Sequence, residues 1–110
     1  WWYISKHDAF VMCSLWEGYP LILNEVIACG IPVVAYDCDF GPREIVSEDY
    51  GFLIENLNTP EFFAKLKLIF NGDFEVPPLD ETRVVLEPSS PNNISLKYSK
   101  LVSDVHEKYQ

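Results

Sequence analysis

The chain has 110 residues, 48% of them hydrophobic and 23% charged, with a formal net charge of −9. That is enough apolar material for one core and too much for a disordered chain, while no apolar run approaches the ~18 residues of a membrane span. Seventeen acids against eight bases disfavour binding of nucleic acid, which needs clustered Lys and Arg, and docking on anionic lipid.

Ala9 to Leu15 is a short continuous apolar run, the pattern of a strand covered on both faces. Leu21 to Cys29 follows Pro20 and stops at Gly30, as a helix with a glycine C-terminal stop would. Val33 to Tyr36 reads as a second buried strand. Asp39-Phe40-Gly41 reads as a turn, and Pro42 suits the first position of a short PREIVS helix. Gly51 to Ile54 is a third strand. Thr59 then caps a helix in which Phe62, Phe63, Leu66, Ile69 and Phe70 share one stripe.

Residues 71–93 hold four of the eight prolines and little periodicity, which predicts an irregular connection with Arg83 to Leu86 extended. Ile94, Tyr98, Leu101, Val102, Val105 and Tyr109 predict an amphipathic helix to the end. Alternating strands and helices imply an α/β fold, a partial Rossmann-like parallel sheet with right-handed crossovers. The expected division is 1–70 as a partial Rossmann-like domain, 71–93 as an irregular Pro-rich connection and 94–110 as a C-terminal amphipathic helix of the same domain. The opening at Trp1-Trp2-Tyr3, without Met, leads us to expect a fragment. Cys13, Cys29 and Cys38 have neither C-x-x-C spacing nor a nearby His, so buried reduced thiols are expected rather than a metal site or disulfides.

In open α/β sheets ligands bind beyond the carboxyl ends of the strands. The segments there are Ser14 to Pro20 and Asp37 to Arg43. Residues 1–58 hold nine acids against Lys6 and Arg43, a net of −7, so a diphosphate would rely on backbone N–H groups at the helix start and on cations from a segment outside these residues. Glu25 stands out on a helix apolar nearly all round. Either it forms a thin solvated edge with Asn24, or it accepts hydrogen bonds from ligand hydroxyls. Glu17 reads either as a turn acid favouring the following helix terminus or as a contact for sugar hydroxyls, with Gly18 allowing close backbone approach. His7 and His106 read as ordinary surface or edge residues, and Phe62-Phe63 as core. No Walker loop, G-x-G-x-x-G, G-x-S-x-G or H-E-x-x-H is present.

The run Ser14-Leu15-Trp16-Glu17-Gly18-Tyr19-Pro20-Leu21-Ile22-Leu23-Asn24-Glu25 resembles the E-x7-E segment of retaining GT-B glycosyltransferases. It continues through Ala28-Cys29-Gly30-Ile31-Pro32-Val33-Val34-Ala35, Gly41-Pro42-Arg43-Glu44-Ile45-Val46 and Tyr50 to Ile54, so the resemblance covers roughly residues 4–70. The D-C-x-x-G-P-R-E form of the second loop is similar to that of members building bacterial surface polysaccharides and other glycans.

The resemblance implies the C-terminal, donor-binding domain of a two-domain enzyme. Glu17 would position the donor sugar, main-chain groups of Gly18, Tyr19, Pro20 and Leu21 would meet the sugar and diphosphate, and Glu25 would meet the ribose. Gly41, Pro42 and Arg43 are second-loop candidates. No metal and no covalent cofactor are implied; the nucleotide-diphospho-sugar is a co-substrate. The acceptor, a glycan or lipid-linked sugar, would be held by an N-terminal domain outside these residues, and the last helix would cross back to that domain. The location implied is cytoplasmic, with peripheral attachment at the inner face of the membrane. These 110 residues alone are expected to be inert. A non-catalytic nucleotide-sugar-binding module or subunit is the competing reading, and a ligand-free half of a flavodoxin-like domain a third.

Overall fold

The computed structural model describes residues 2–108, apart from the side chains of residues 5, 85 and 89. Three parallel strands, β1 (Phe10–Met12), β2 (Val33–Tyr36) and β3 (Gly51–Ile54), lie in that order in one sheet. Phe10 pairs with Val33, and Val33 with Gly51. Helices α1 (Leu21–Ala28), α2 (Pro42–Ile45) and α3 (Thr59–Phe70) connect or follow the strands. The α/β class and the parallel sheet are those expected.

Strand β2 is apolar throughout because both its faces are covered. Val33 and Ala35 join Leu23, Val26 and Ile27 of α1, with Ile45 of α2, in one cluster. Val34 and Tyr36 point the other way and pack with Ile54, Phe62 and Ile69. The Tyr36 and Phe62 rings stand 4.9 Å apart and tilted, an arrangement aromatic pairs favour.

Helix α1 stops as its sequence predicts. Gly30 has φ +74°, its N–H donates to the Ile27 carbonyl, and the Ile31 N–H donates to the Val26 carbonyl. These are the two hydrogen bonds of a Schellman motif.

Several expectations need correction. Strand β1 ends at Met12, its last residue paired with β2, opposite Ala35; Cys13 and Leu15 lie beyond it and are exposed. Val11 is exposed as well, so β1 is open on one face. Of the cysteines Cys38 alone is buried, though all three are free.

Asn58, rather than Thr59, caps α3: its side chain accepts the Glu61 N–H at 3.3 Å and donates to the Glu61 carboxylate at 2.8 Å. The buried stripe of α3 is narrower than predicted. Phe62 and Ile69 are buried, whereas Phe63 and Phe70 face outward.

Residues 71–93 are not wholly irregular. Helix α4 (Leu79–Thr82) runs into a 3-10 segment at Arg83–Ser89, so Arg83 to Leu86 is not extended. Thr82 is fully buried, its hydroxyl donating to the Leu79 carbonyl at 3.2 Å. Helix α5 (Pro91–Lys108) starts earlier than Ile94 and buries none of its described residues; Tyr109, assigned to its stripe, lies outside the described residues. It packs chiefly against the 3-10 segment before it.

Candidate functional site

All three strands run the same way, so Met12, Tyr36 and Ile54 end at one edge of the sheet. The segment from Cys13 to Pro20 and the segment from Asp37 to Gly41 leave that edge side by side. They touch. Gly41 has φ +85° and ψ −73°, and a Cβ there would overlap the Gly18 carbonyl oxygen and the Pro20 ring. Glycine is therefore required at 41 both by conformation and by space. Pro20, Gly41 and Pro42 are buried in this junction.

Gly18 is different. It is exposed, its φ lies outside the left-handed region, and nothing stands within 4 Å of where its Cβ would be. The fold would accept a side chain there.

No side chain caps the start of α1, and an α-helix leaves its first-turn N–H groups without intrahelical acceptors. Tyr19 and Leu21 flank this end and are exposed. Glu25 lies one turn in from Leu21 on the same face and is half-buried. Glu17, in the preceding loop, is half-buried too. Among the described residues neither carboxylate forms a hydrogen bond or an ion pair.

Asn24 does not share a solvated edge with Glu25. It is only 3% exposed, and its amide Nδ2 donates to the Tyr19 hydroxyl at 3.3 Å. The sequence signal was available, a tyrosine five residues upstream of the one amide in an apolar helix, but helical periodicity does not register a bond back to the loop.

Arg43 is the cation of the second loop. Its Nε donates to Asp37 at 3.0 Å. That hydrogen bond, with the Asp37 charge, holds the guanidinium above its already high ordinary range. Both partners are substantially exposed, so salt screens the pair.

An apolar cleft of about 270 Å³ lies elsewhere, along the free edge of β1, lined by Tyr3, Ile4, Phe10, Val11, Ile22 and Val26 among others. None of the predicted site residues lines it, and its lining is mostly apolar. His7 borders the cleft, its Nδ1 bonded to the Tyr3 carbonyl at 3.0 Å.

Residues 1–84 match the model of the family described as glycosyl transferases group 1. Over 87 residues, 77% of the chain, it is 31% identical to an uncharacterized glycosyltransferase of Haemophilus influenzae. Over 72 residues, 64% of the chain, it is 35% identical to the N-acetylgalactosamine-N,N'-diacetylbacillosaminyl-diphospho-undecaprenol 4-alpha-N-acetylgalactosaminyltransferase of Campylobacter jejuni. The matched stretches span 25% and 20% of those two relatives. Among solved structures, the lipopolysaccharide outer core galactosyltransferase WaaB in its apo form superposes with a TM-score of 0.79 at 21% identity, over 94% of this chain and 30% of that one.

Proposed function

This chain belongs to the glycosyl transferases group 1 family, and from that premise we propose that it is the donor-binding part of a retaining glycosyltransferase. The observation that carries the reading is the pair Glu17 and Glu25, two half-buried carboxylates without partners among the described residues, on either side of the uncapped start of α1. An ionised carboxylate withdrawn from water needs hydrogen-bond donors. Ribose hydroxyls at Glu25 and donor-sugar hydroxyls at Glu17 would supply them. The first-turn N–H groups of α1 suit the diphosphate between.

The reaction would pass through an oxocarbenium-like transition state with a departing nucleoside diphosphate. Positioning and fixed dipoles carry such catalysis. Glu17 orients the sugar in this reading; it is not assigned as a nucleophile. The donor is a co-substrate, and no covalent cofactor enters.

The acceptor would be a glycan or lipid-linked sugar, since the Campylobacter relative is named for transfer to a diphospho-undecaprenol acceptor. It would be held by a further domain, in a protein working in the cytoplasm at the inner face of the membrane. No described helix is long and apolar enough to cross a membrane itself.

Ligand-observed NMR with UDP, GDP and ADP tests this. One nucleotide should be preferred, and Glu25→Gln should weaken it about 10- to 100-fold, the worth of hydrogen bonds to a charged group. Unchanged affinity in Glu25→Gln refutes the ribose assignment.

One observation favours a second reading, a module that binds the nucleotide sugar without transferring it. Arg43, the cation of the second loop, pairs its Nε with Asp37, so part of its charge is already balanced before any diphosphate leaves. Turnover of a nucleotide sugar by the native protein would dismiss that reading.

A further inference from the structure

The guanidinium of Arg43 holds its N–H donors in one plane, one on Nε and a pair on each Nη. Asp37 takes the Nε donor alone, at 3.0 Å, and among the described residues no acceptor meets either Nη. The end of the fork, with its two parallel N–H bonds, is therefore open to a second oxyanion.

Both partners are fixed by the fold beneath them. Asp37 extends the pairing of β2 with β3, its N–H donating to the Ile54 carbonyl at 2.7 Å. Arg43 stands in α2 between Pro42 and Ile45, both buried. Gly41, just before them, abuts the Gly18 carbonyl and the Pro20 ring, so the fork leaves the chain beside the junction of the two loops.

The charges around it are uneven. Lys6, the other basic residue among the first 58, precedes the amino end of β1 and lies over the Trp2 ring. Arg43 is thus the one cation among the described residues of the loops at the carboxyl ends of the strands. Asp37 and Asp39 in the same loop would by charge alone repel an anion. The first-turn N–H groups of α1 lie across the junction, and the phosphate they suit is the shape a guanidinium fork matches.

We propose that Arg43 is a ligand-contacting residue whose Nη pair clamps two oxygens of the donor diphosphate, and that Asp37 is the positioning residue that aims it. This rests on the donor-site reading above and deepens it. Cations from segments outside these residues would share the charge of the diphosphate; the fork adds direction, set before the ligand arrives.

The test measures, by ligand-observed NMR on the native protein, affinity for UDP, GDP and ADP, then for the nucleoside and the nucleotide-hexose of whichever binds. Arg43→Gln should weaken the nucleoside diphosphate about 10- to 100-fold and leave the nucleoside unchanged. Arg43→Lys, which keeps the charge without the fork, should recover only part of that loss. Asp37→Asn removes a negative charge, yet should weaken the diphosphate about 3- to 10-fold, because the fork is no longer aimed. In the Arg43→Gln background there is no fork to aim, and Asp37→Asn should instead tighten binding up to about threefold. Lost stability would not reverse sign between the two backgrounds. Should Arg43→Gln fail to fold, Arg43→Met takes its place.

Tighter binding by Asp37→Asn in the parent overturns the role of Asp37. An equal loss for nucleoside and nucleoside diphosphate overturns the phosphate contact. A loss confined to the nucleotide-hexose overturns it in favour of the sugar. If Glu25→Gln loses affinity while Arg43→Gln does not, this inference fails and the donor-site reading stands. If no nucleotide binds the native protein, both fall together.

Discussion

Gly41→Ala and Gly18→Ala make a matched pair, one methyl group added to each of two loops that touch. At 41 the methyl meets the Gly18 carbonyl oxygen and the Pro20 ring, neither of which is a flexible side-chain end. The backbone there, at φ +85° and ψ −73°, is one that L-residues rarely adopt and costs about 1–3 kcal/mol in itself. Relief of the overlap by shifting the loop adds a further ~1–2 kcal/mol, as overpacking does. We therefore expect Gly41→Ala to lose about 2–5 kcal/mol in urea unfolding, a large fraction of the ~5–15 kcal/mol typical of a domain.

Gly18→Ala should stay within about 0.5 kcal/mol of the parent, because its added methyl meets nothing. Under the donor-site reading it should nonetheless weaken nucleotide-sugar binding, since the ligand needs the space that the protein does not. Equal stability of the two variants would refute the reasoning, for it would mean that the junction of the loops yields freely.

Asn58→Ala removes the cap of α3 and should cost about 1 kcal/mol, or roughly 4–8 °C in Tm for a domain of this size. Phe62→Ala should cost about 3–5 kcal/mol in chemical unfolding, while its neighbour Phe63→Ala should change stability by no more than ~0.5 kcal/mol. Truncation after Asn93 should lower stability by under about 1 kcal/mol, because α5 buries no described residue; a larger loss by calorimetry would show that α5 supports the core. Between pH 6 and 9 unfolding free energy should not change through Arg43. A raised pKa gives stability that is present below the unfolded value and lost only as pH climbs through the folded one, far above that window.

The sheet and its flanking helices were legible because burial on both faces leaves an unbroken apolar run, and β2 and β3 match their predicted bounds. Strand β1 was overextended since the apolar run continues past its last paired residue, Met12. The 3.6-residue period placed α3, but could not say that the sheet covers only the arc from Phe62 to Ile69 and leaves Phe63 outside. Residues 79–89 were missed because two short helical pieces in Pro-rich sequence have too few turns to show a period. At the candidate site, the loops and both glutamates were readable from residue type and position. The buried Asn24 was not, because its partner lies back in the loop and not along the helix. The ion pair of Arg43 with Asp37, six residues apart, likewise depends on how the second loop folds.

A strand with hydrogen-bonding groups free along one side is a template for another strand. Among the described strands β1 is such an edge, with Val11 exposed and an apolar cleft beside it. Preparations in which that edge stays bare should self-associate as concentration rises, by strand addition rather than by unfolding. Lys6 and Asp8, both exposed, stand just before β1. Handling of the protein will turn on that edge: a charged residue in place of Val11 should improve solubility, and should reach none of the groups at the far ends of the strands.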